Sequence, residues 1–247
     1  MIDIHTHLLH DIDDGASTCE IALQMIKMER NQGVTTVICT PHLNKGELSA
    51  SIYDINKSYN VLMQKIEENG INIKVLLGHE INCQDNIFEI LKSSNFLTMA
   101  GSKYIMLELD NNLLNDIENM LYEIKLMGYI PILAHIERYT KLFERKKMLG
   151  IIVDEGAHLQ INADSILSKH NNTEVKFCKY LLKNRLVSFV ASDCHNLNDR
   201  KPNLKVCYKY LSSKYGVKYA YELLYDNPDK VINNVPIPYK NPVKKII

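Results

Sequence analysis

Short runs rich in branched apolar residues recur seven times along the chain, and amphipathic segments separate them. The runs that we predict to be strands cover residues 2–5, 35–40, 73–78, 104–109, 130–134, 157–161 and 186–191. Strands that alternate with helices at this spacing run parallel and are joined by right-handed crossovers. The pattern therefore predicts an α/β fold, a distorted (β/α)7 TIM-like barrel whose active site lies at the C-terminal ends of the parallel strands.

The segments between the strands have the periodicity of amphipathic helices. We predict helices over residues 17–31, 52–69, 113–127, 140–149 and 174–184. Ser17 and Glu20 are spaced as a capping box at the start of the first helix. Gly33, Gly70 and Gly128 stand where C-terminal caps of helices are expected.

The alternation extends over the whole chain, and no linker rich in Ser, Gly or Pro interrupts it. The 247 residues match the ~250 that are typical of one α/β barrel, so residues 1–247 are predicted to form a single domain. Residues 226–247 contain four prolines. We expect them to form an extended C-terminal tail that wraps the barrel or contacts a neighbouring subunit of a homo-oligomer.

Charge and cysteine usage exclude several kinds of partner and location. The formal net charge is zero and the sequence pI is about 7.1, so no basic field favours nucleic acid or a membrane surface. The first residues lack the basic region of a signal peptide, and no apolar run approaches the ~20 residues of a membrane span. The six cysteines are scattered without a C-x-x-C pair, which predicts reduced thiols in a cytoplasmic protein.

Imidazole and carboxylate side chains follow the predicted strands at the points where the strands give way to loops. Nine of them are candidate metal ligands: His5, His7, Asp14, His42, Glu80, Glu108, His135, Asp193 and His195. His5-x-His7 has strand spacing, so both imidazoles project from the same face. Active sites of barrels are built at the rim where the C-terminal strand ends meet. The candidates are therefore expected to converge there on a metal centre.

Each candidate also has a structural interpretation. His135 alone could be a hydrogen-bonded core histidine, and Glu108 could be half of a buried ion pair, although an unpaired buried carboxylate is costly. The acidic segment 11–15 does not fit a calcium loop, because Gly15 and Ala22 stand where the EF-hand pattern requires acidic residues. The remaining histidines are interpreted as structural or surface residues: His10, His79, His158 and His170.

The mixture of imidazole and carboxylate donors constrains the identity and number of the ions. Without a thiolate, it suits manganese, iron, zinc or magnesium better than copper. Nine ligands exceed the roughly four to six of one ion, and they suffice for two or three ions if Glu80 bridges a pair. Three divalent ions would carry two more positive charges than the four carboxylates balance. Such a site attracts phosphate esters.

Two arginines follow candidate ligands closely in the sequence and support this interpretation. Arg138 lies three residues beyond one ligand, and Arg200 lies five beyond another. Guanidinium groups bind phosphate oxygens with two parallel hydrogen bonds. Either arginine could instead form a surface salt bridge, with Glu137 or Asp199.

Five segments resemble the PHP superfamily, and within it the chain is similar to the CpsB/CapC-type bacterial tyrosine-protein phosphatases. The segments are M-I-D-I-H-T-H at 1–7, D-D-G at 13–15, T-P-H at 40–42, A-H-I-E-R-Y at 134–139 and A-S-D-C-H-N-L at 191–197. They occur in order over essentially the whole chain. The resemblance implies a PHP-type barrel with three divalent ions, usually manganese. It also implies removal of phosphate from phosphotyrosine on a bacterial tyrosine autokinase that regulates capsular or exopolysaccharide synthesis.

The resemblance also implies a role for each motif residue. One ion would be held by His5, His7, Glu80 and Asp193. A second would be held by Glu80, Glu108 and His135, and the third by Asp14, His42 and His195. Arg138 and Arg200 would hold the phosphate. Leu43 and Cys194 depart from the family pattern, where a second histidine and a methionine are more usual, but neither change removes a ligand.

The hypothesis that follows is a metal-dependent phosphatase in which a metal-activated hydroxide attacks phosphorus without a covalent phosphoenzyme. Three alternatives stay open. The first is a related phosphoesterase that acts on a small phosphate monoester such as histidinol phosphate. The second is a catalytically silent metal-binding scaffold attached to a kinase. The third follows from Cys194-x5-Arg200, which matches the C-x5-R pattern of cysteine-dependent tyrosine phosphatases, although the intervening residues contain no glycine.

Overall fold

Parallel strands form the centre of this computed structural model, which describes residues 1–93, 95–110, 114 and 116–238. All seven predicted strands form, and two short strands were not predicted. In chain order they are β1 (Ile2–Thr6), β2 (Thr36–Cys39), β3 (His42–Leu43), β4 (Lys74–Leu77), β5 (Glu80–Asn82), β6 (Tyr104–Glu108), β7 (Ile130–Leu133), β8 (His158–Asn162) and β9 (Val187–Ala191). The ends of the seven predicted strands are correct within one residue.

The two short strands continue β2 and β4 beyond local interruptions. Pro41, which has no N–H to donate to a strand ladder, separates β3 from β2. The pairing register carries across the break, because Cys39 pairs with Leu77 and His42 pairs with Glu80. The sheet with the order β1-β2-β4 is therefore continuous with the sheet β3-β5-β6-β7-β8-β9. With β3 counted as an extension of β2 and β5 as an extension of β4, the barrel has seven parallel strands.

The first strand, β1, and the residues that follow the last strand, β9, are hydrogen-bonded at the C-terminal rim. The N–H of His7 donates to the carbonyl of Cys194 at 3.0 Å, and the N–H of Asp193 donates to the carbonyl of His5 at 3.0 Å. A parallel bridge between Thr6 and Cys194 lies between these bonds. The predicted fold class, an α/β structure of the distorted (β/α)7 barrel type, is confirmed.

Helices connect the strands on the outside of the barrel. They are α1 (Cys19–Asn31), α2 (Ile52–Glu68), α3 (Ile87–Ser93), α4 (Ile117–Leu126), α5 (Thr140–Glu144), α6 (Lys146–Asp154), α7 (Ala163–Leu167), α8 (Thr173–Lys183), α9 (Leu204–Tyr215), α10 (Val217–Tyr221) and α11 (Asn227–Ile232). The predicted helix at 140–149 is two helices, because Arg145 between them has a non-helical backbone with φ −106° and ψ 58°. Positions 113 and 115 of the predicted helix 113–127 lie outside the described residues.

The predicted cap of the first helix is wrong, and the three predicted glycine caps are correct. Thr18, not Ser17, has the extended backbone of an N-cap, and its hydroxyl accepts from the N–H of Ile21 at 3.3 Å. Thr18 directly precedes the first helical residue, so its side chain reaches the N–H three positions on. The glycines that follow α1, α2 and α4 all have positive φ: Gly33, Gly70 and Gly128.

Two apolar layers hold the fold together. Inside the barrel, side chains from alternate positions of the strands pack with Val231 of α11, including Ile4, Ile38 and Phe189. The larger layer lies between the strands and the surrounding helices. Burial of this kind contributes roughly 25 cal/mol per Å² of apolar surface. The inner layer fills the barrel below the rim, so the rim is where polar side chains can gather.

The C-terminal segment covers the opposite, N-terminal end of the barrel. The predicted extended tail 226–247 is helical at its start, where α11 places Val231 among the inner apolar residues. Beyond it, the hydroxyl of Tyr104 donates to the carbonyl of Val235 at 2.9 Å and accepts from the N–H of Ile237 at 3.1 Å. The described part of this segment therefore packs on the barrel, and residues 239–247 lie outside the described range. The single-domain organisation stays a prediction.

Among the described helices, none combines the length and the apolar composition that crossing a bilayer requires.

Candidate metal centre

The nine predicted ligands lie together at the C-terminal rim of the barrel. In the described part of the chain, their nitrogen and oxygen atoms form four overlapping groups, each within 4.8 Å. The groups are His7, Asp14, His42 and His195; His5, His7 and Asp193; His5, Glu80 and His135; and His42, Glu80 and Glu108. Side chains that are far apart in sequence thus meet because they lie on, or in loops next to, strand ends that face the same pocket.

Glu80, at the start of β5, lies at the centre of the cluster. Its Oε1 is 2.6 Å from Nε2 of His135. Its Oε2 is 3.0 Å from His42 and 3.3 Å from both His5 and His7. Burial alone would raise the pKa of this carboxyl, but the imidazoles around it, those of His5 and His135 foremost, hold the pKa well below its usual range. A carboxylate shared by four imidazoles is placed to bridge two ions.

The loop between β1 and α1 orients His7. Nδ1 of His7 is 2.7 Å from Oδ2 of Asp13, so Nε2 faces the cluster. Burial opposes protonation of this ring, yet the carboxylate of Asp13 raises the pKa of His7 to about 10. Gly15 makes the arrangement possible, because a Cβ there would collide with the backbone oxygen and the Cβ of His7. Sequence reasoning missed Asp13, although the adjacent candidate Asp14 marked the loop.

Asp14 and Glu108 form the outer sides of the cluster. Oδ1 of Asp14 is 3.2 Å from Nε2 of His42 and 3.4 Å from Nε2 of His195. Glu108, at the end of β6, is 3.9 Å from Nε2 of His135 and accepts hydrogen bonds from Lys45 and Asn82 at 2.9 Å each. Lys45 is a second polar contact that sequence reasoning missed, since a lone lysine in a loop has no distinguishing pattern.

Asp193 divides its two oxygens between the imidazoles and the arginines. Oδ1 is 3.5 Å from His5 and 3.6 Å from His7. Oδ2 accepts from Nη2 of Arg138 and of Arg200, both at 2.9 Å. Both predicted phosphate-binding arginines therefore lie at the rim, beside the cluster. Arg138 does not form the alternative salt bridge with Glu137, and Arg200 does not form one with Asp199. Their contact is with a candidate ligand.

A cleft with a volume of about 290 Å³ opens next to the arginines. Arg138 and Arg200 line one side, and exposed polar residues of α7 and the loop before α8 line the other. Arg138 is 42% exposed and Arg200 is 35% exposed, so both guanidinium groups are accessible from the cleft. The cleft gives a ligand a route to the cluster from the solvent.

Two candidate ligands have left-handed backbone conformations that residues other than glycine rarely adopt. His135 has φ 32° and Asp193 has φ 52°. Left-handed conformations of non-glycine residues cost of order 1–3 kcal/mol and concentrate at functional sites. Both residues directly follow the ends of β7 and β9, where their side chains belong to the cluster.

The thiol of Cys194 does not face the site. The residue is fully buried, and its Sγ lies 3.8 Å from Oε1 of Glu29 on α1. Burial raises the pKa of this thiol well above its usual value, and the carboxyl groups of Glu29 and Asp3 raise it further. A cysteine nucleophile requires a lowered pKa and access to substrate. The cysteine-phosphatase alternative is therefore inconsistent with the geometry.

The histidines interpreted as structural stay outside the cluster, as expected. His79 accepts from the N–H of Leu97 at 2.9 Å, and burial lowers its pKa to about 4. His10 contacts Ser58, and His158 packs near Phe189 inside the barrel. His170 is exposed.

The donor chemistry of the cluster fits divalent cations. Buried carboxylates and imidazoles are expensive without counter-charges or partners. Nε2 of His195 and Nδ1 of His42 are buried without a hydrogen-bond partner in the described structure, although each lies near a carboxylate. Unshared imidazole nitrogens that point at carboxylate oxygens are what a nitrogen- and oxygen-liganded ion requires.

The chain is similar to known proteins over most of its length. The family model for capsular polysaccharide synthesis, CpsB/CapC, matches residues 1–233. The tyrosine-protein phosphatase CpsB of Streptococcus agalactiae serotype III is 32% identical over 240 residues, which cover 95% of this chain and 99% of that protein. The tyrosine-protein phosphatase YwqE of Bacillus subtilis is 30% identical over 238 residues, which cover 96% and 93% of the two chains.

A solved structure shows the same similarity in three dimensions. It comes from crystal structures of YwqE from Bacillus subtilis and CpsB from Streptococcus pneumoniae, described as unique metal-dependent tyrosine phosphatases. The TM-score is 0.89 at 29% sequence identity, with 98% of each chain covered. The similarity therefore extends over the barrel, the rim and the segment that covers the far end.

Proposed function

The chain belongs to the CpsB/CapC family, and from this membership we propose that it is a metal-dependent protein-tyrosine phosphatase, a phosphoric monoester hydrolase. The observation that carries the proposal is the convergence of nine imidazole and carboxylate ligands beside two accessible arginines. The ligands supply the metal dependence, and the arginines supply recognition of the phosphate. All nine candidate ligands lie together in the described part of the chain, which argues against the catalytically silent scaffold.

We propose three divalent ions, with manganese first and iron, zinc or magnesium as substitutes. Glu80 belongs to two of the four groups of close donor atoms, which supports a bridging role for its carboxylate, and the division of the ligands among three sites follows the family resemblance. The first site would be formed by His5, His7, Glu80 and Asp193, the second by Glu80, Glu108 and His135, and the third by Asp14, His42 and His195. When bound, such ions supply Lewis-acid chemistry and lower the pKa of water toward neutrality.

The residues of the chain then have distinct roles in the reaction. Arg138 and Arg200 bind the phosphate oxygens and offset the negative charge that grows on them during hydrolysis. Asp193 orients both guanidinium groups through Oδ2. The leaving group is a phenolate whose parent pKa is about 10, so strong protonation of the leaving oxygen is less necessary than for an alkyl phosphate.

We propose that the physiological substrate is phosphotyrosine in the tail of a bacterial tyrosine autokinase that regulates capsular or exopolysaccharide synthesis. The family description and the names of the relatives support this substrate. The accessible cleft beside the arginines supports it too, because a peptide must bring its side chain to the rim without entering the barrel. We further propose a cytoplasmic location, which the six free cysteines favour.

The proposal is tested by elemental analysis of the purified protein, combined with assays on chelated and manganese-reconstituted samples. The substrates are a phosphotyrosine peptide, p-nitrophenyl phosphate and histidinol phosphate. We expect activity on the peptide that chelation abolishes and manganese restores. Preferential turnover of histidinol phosphate would favour the small-monoester alternative. Peptide hydrolysis that survives complete removal of the ions would refute the metal-dependent mechanism.

A further inference from the structure

Strand β8 ends at the rim like its neighbours, yet it contributes none of the nine ligands. At the corresponding positions it has two amides, Gln160 and Asn162, which are 0% and 4% exposed. Their spacing along the strand places both side chains on the same face. Buried amides require hydrogen-bond partners, so their contacts define what they do.

Gln160 connects two candidate ligands. Its Oε1 accepts from the backbone N–H of His135 at 2.8 Å and lies 3.2 Å from Nδ1 of His5. A backbone N–H can only donate, so the oxygen of the amide is fixed on this side. Nδ1 of His5 then carries the hydrogen, and Nε2 is left free toward Glu80 and Asp193.

Asn162 continues the connection to a third candidate ligand. Nε2 of Gln160 donates to Oδ1 of Asn162 at 2.8 Å. Nδ2 of Asn162 then donates to Oδ2 of Asp193 at 2.7 Å. The backbone N–H of Asn162 donates to the buried carboxyl of Glu137 at 2.8 Å. Since every donor and acceptor along this chain has one consistent assignment, both amide orientations are determined.

The two ends of the amide chain are the two ligands with strained backbones. His135, held by Gln160, has φ 32°, and Asp193, held by Asn162, has φ 52°. Left-handed conformations of non-glycine residues are strained, and they persist only where surrounding contacts fix them. The amide chain supplies such contacts at both positions.

We propose that Gln160 and Asn162 form an amide relay that positions the metal ligands. Gln160 fixes the ring of His5 with Nε2 toward the ions, and Asn162 occupies Oδ2 of Asp193 so that Oδ1 turns to them. Partners of this kind orient ligands and set metal affinity. The inference rests on the proposed function, since it concerns the same ions.

The neutrality of the relay has a consequence for the substrate. Carboxylates commonly accept hydrogen bonds from metal-ligating histidines, and they add negative charge to the site. An amide at position 160 orients His5 without adding charge. The net positive charge of the centre with its ions bound is therefore not reduced by this contact, and it favours binding of an anionic phosphate ester.

The test uses full-length Gln160→Met and Asn162→Ala proteins. Gln160→Met keeps the size of the side chain and removes its hydrogen bonds. Asn162→Ala removes the side-chain amide and leaves the backbone bond to Glu137. For each protein, Mn²⁺ affinity is measured by competition with a chelator, and Co²⁺-loaded samples are compared by visible absorption, which reports ligand geometry.

We expect each variant to lower the affinity for one of the bound ions by about 10- to 100-fold. We also expect it to change the visible absorption spectrum of the Co²⁺-loaded protein. Asn227→Leu is the matched control, because it removes a buried amide at the opposite end of the barrel, where Asn227 donates to the carbonyl of Ser188 at 2.9 Å. The control is expected to lose thermal stability with unchanged metal affinity. If Gln160→Met does not fold, the Mn²⁺ affinity and the Co²⁺ spectrum of Asn162→Ala alone test the relay.

The outcomes separate the relay from the proposed function. Wild-type protein that binds ions, with variants of equal affinity and identical Co²⁺ spectra, would refute the relay alone. A loss of affinity in Asn227→Leu as large as in the relay variants would also refute it, because general destabilisation would then explain the effect. Wild-type protein that binds no ions would overturn the proposed function and the relay together.

Discussion

Replacing Arg138 or Arg200 with methionine removes a guanidinium from the rim while keeping an unbranched side chain there. Each arginine donates one hydrogen bond to Oδ2 of Asp193, at 2.9 Å in both cases. A guanidinium has five N–H donors, so each retains donors for phosphate oxygens. Both are partly exposed toward the cleft, where a phosphate would approach.

The expected loss follows from the hydrogen bonds that a phosphate would no longer receive. A hydrogen bond to a charged group contributes about 1.5–3 kcal/mol, and about 1.4 kcal/mol corresponds to a factor of ten. Each single substitution should therefore lower kcat/KM for a phosphotyrosine peptide by roughly 10- to 100-fold. The effects of the two substitutions should not add, because the two side chains share one acceptor on Asp193.

The assay is steady-state kinetics on manganese-reconstituted protein, with metal content determined in parallel. Arg185→Met is the control, since Arg185 lies at the opposite end of the barrel, stacks 3.9 Å above the ring of Tyr219 and donates to the carbonyl of Tyr215. The control should keep wild-type kinetics. If both rim variants retained full metal content and wild-type kcat/KM, the phosphate-binding role of the arginines would be wrong.

Three further substitutions test other parts of the structure. Glu80→Gln should lose at least one ion by elemental analysis and most of its activity, because Glu80 contacts four of the imidazoles; full ion content would contradict a bridging role. Cys194→Ser should keep metal-dependent activity in the peptide assay, because the thiol faces Glu29 and not the rim; a folded, metal-loaded but inactive variant would revive the thiolate mechanism. Burial lowers the pKa of His158 to about 4, below the roughly 6.5 of an unfolded chain, so its protonation favours unfolding. Stability should fall between pH 6.5 and 4 by up to about 3 kcal/mol on account of this residue. Denaturation of His158→Phe should show a weaker pH dependence over that range, and an unchanged dependence would refute this account.

The strands and the ligands could be predicted because each leaves a local pattern in the sequence. A buried parallel strand is a short run of branched apolar residues, and a ligand at its end is a charged or imidazole side chain that directly follows the run. The strands β3 and β5 were missed for the same reason. Two or three residues beyond Pro41 or Gly78 are too few to show any periodicity, and they pair only because β2 and β4 set the register.

The contacts that orient the ligands could not be predicted from local patterns. Gln160 and Asn162 are uncharged, and nothing in the sequence of β8 distinguishes them from surface amides. Their roles depend on which residues the barrel brings opposite them, namely His5 and Asp193, at sequence separations of 155 and 31. Tertiary pairing decides such roles, so only the folded structure reveals them.

Asp193 joins metal binding to phosphate binding. One oxygen faces the imidazoles of the first proposed site, and the other accepts from Arg138 and Arg200. A phosphate bound by the two guanidinium groups would compete with Oδ2 for their N–H donors, and more of the negative charge of Asp193 would then be available to bound ions. Because linkage of binding free energies is reciprocal, bound ions would strengthen phosphate binding by the same factor. Asn162, which donates to the same Oδ2, would hold that carboxylate in place while its other partners change.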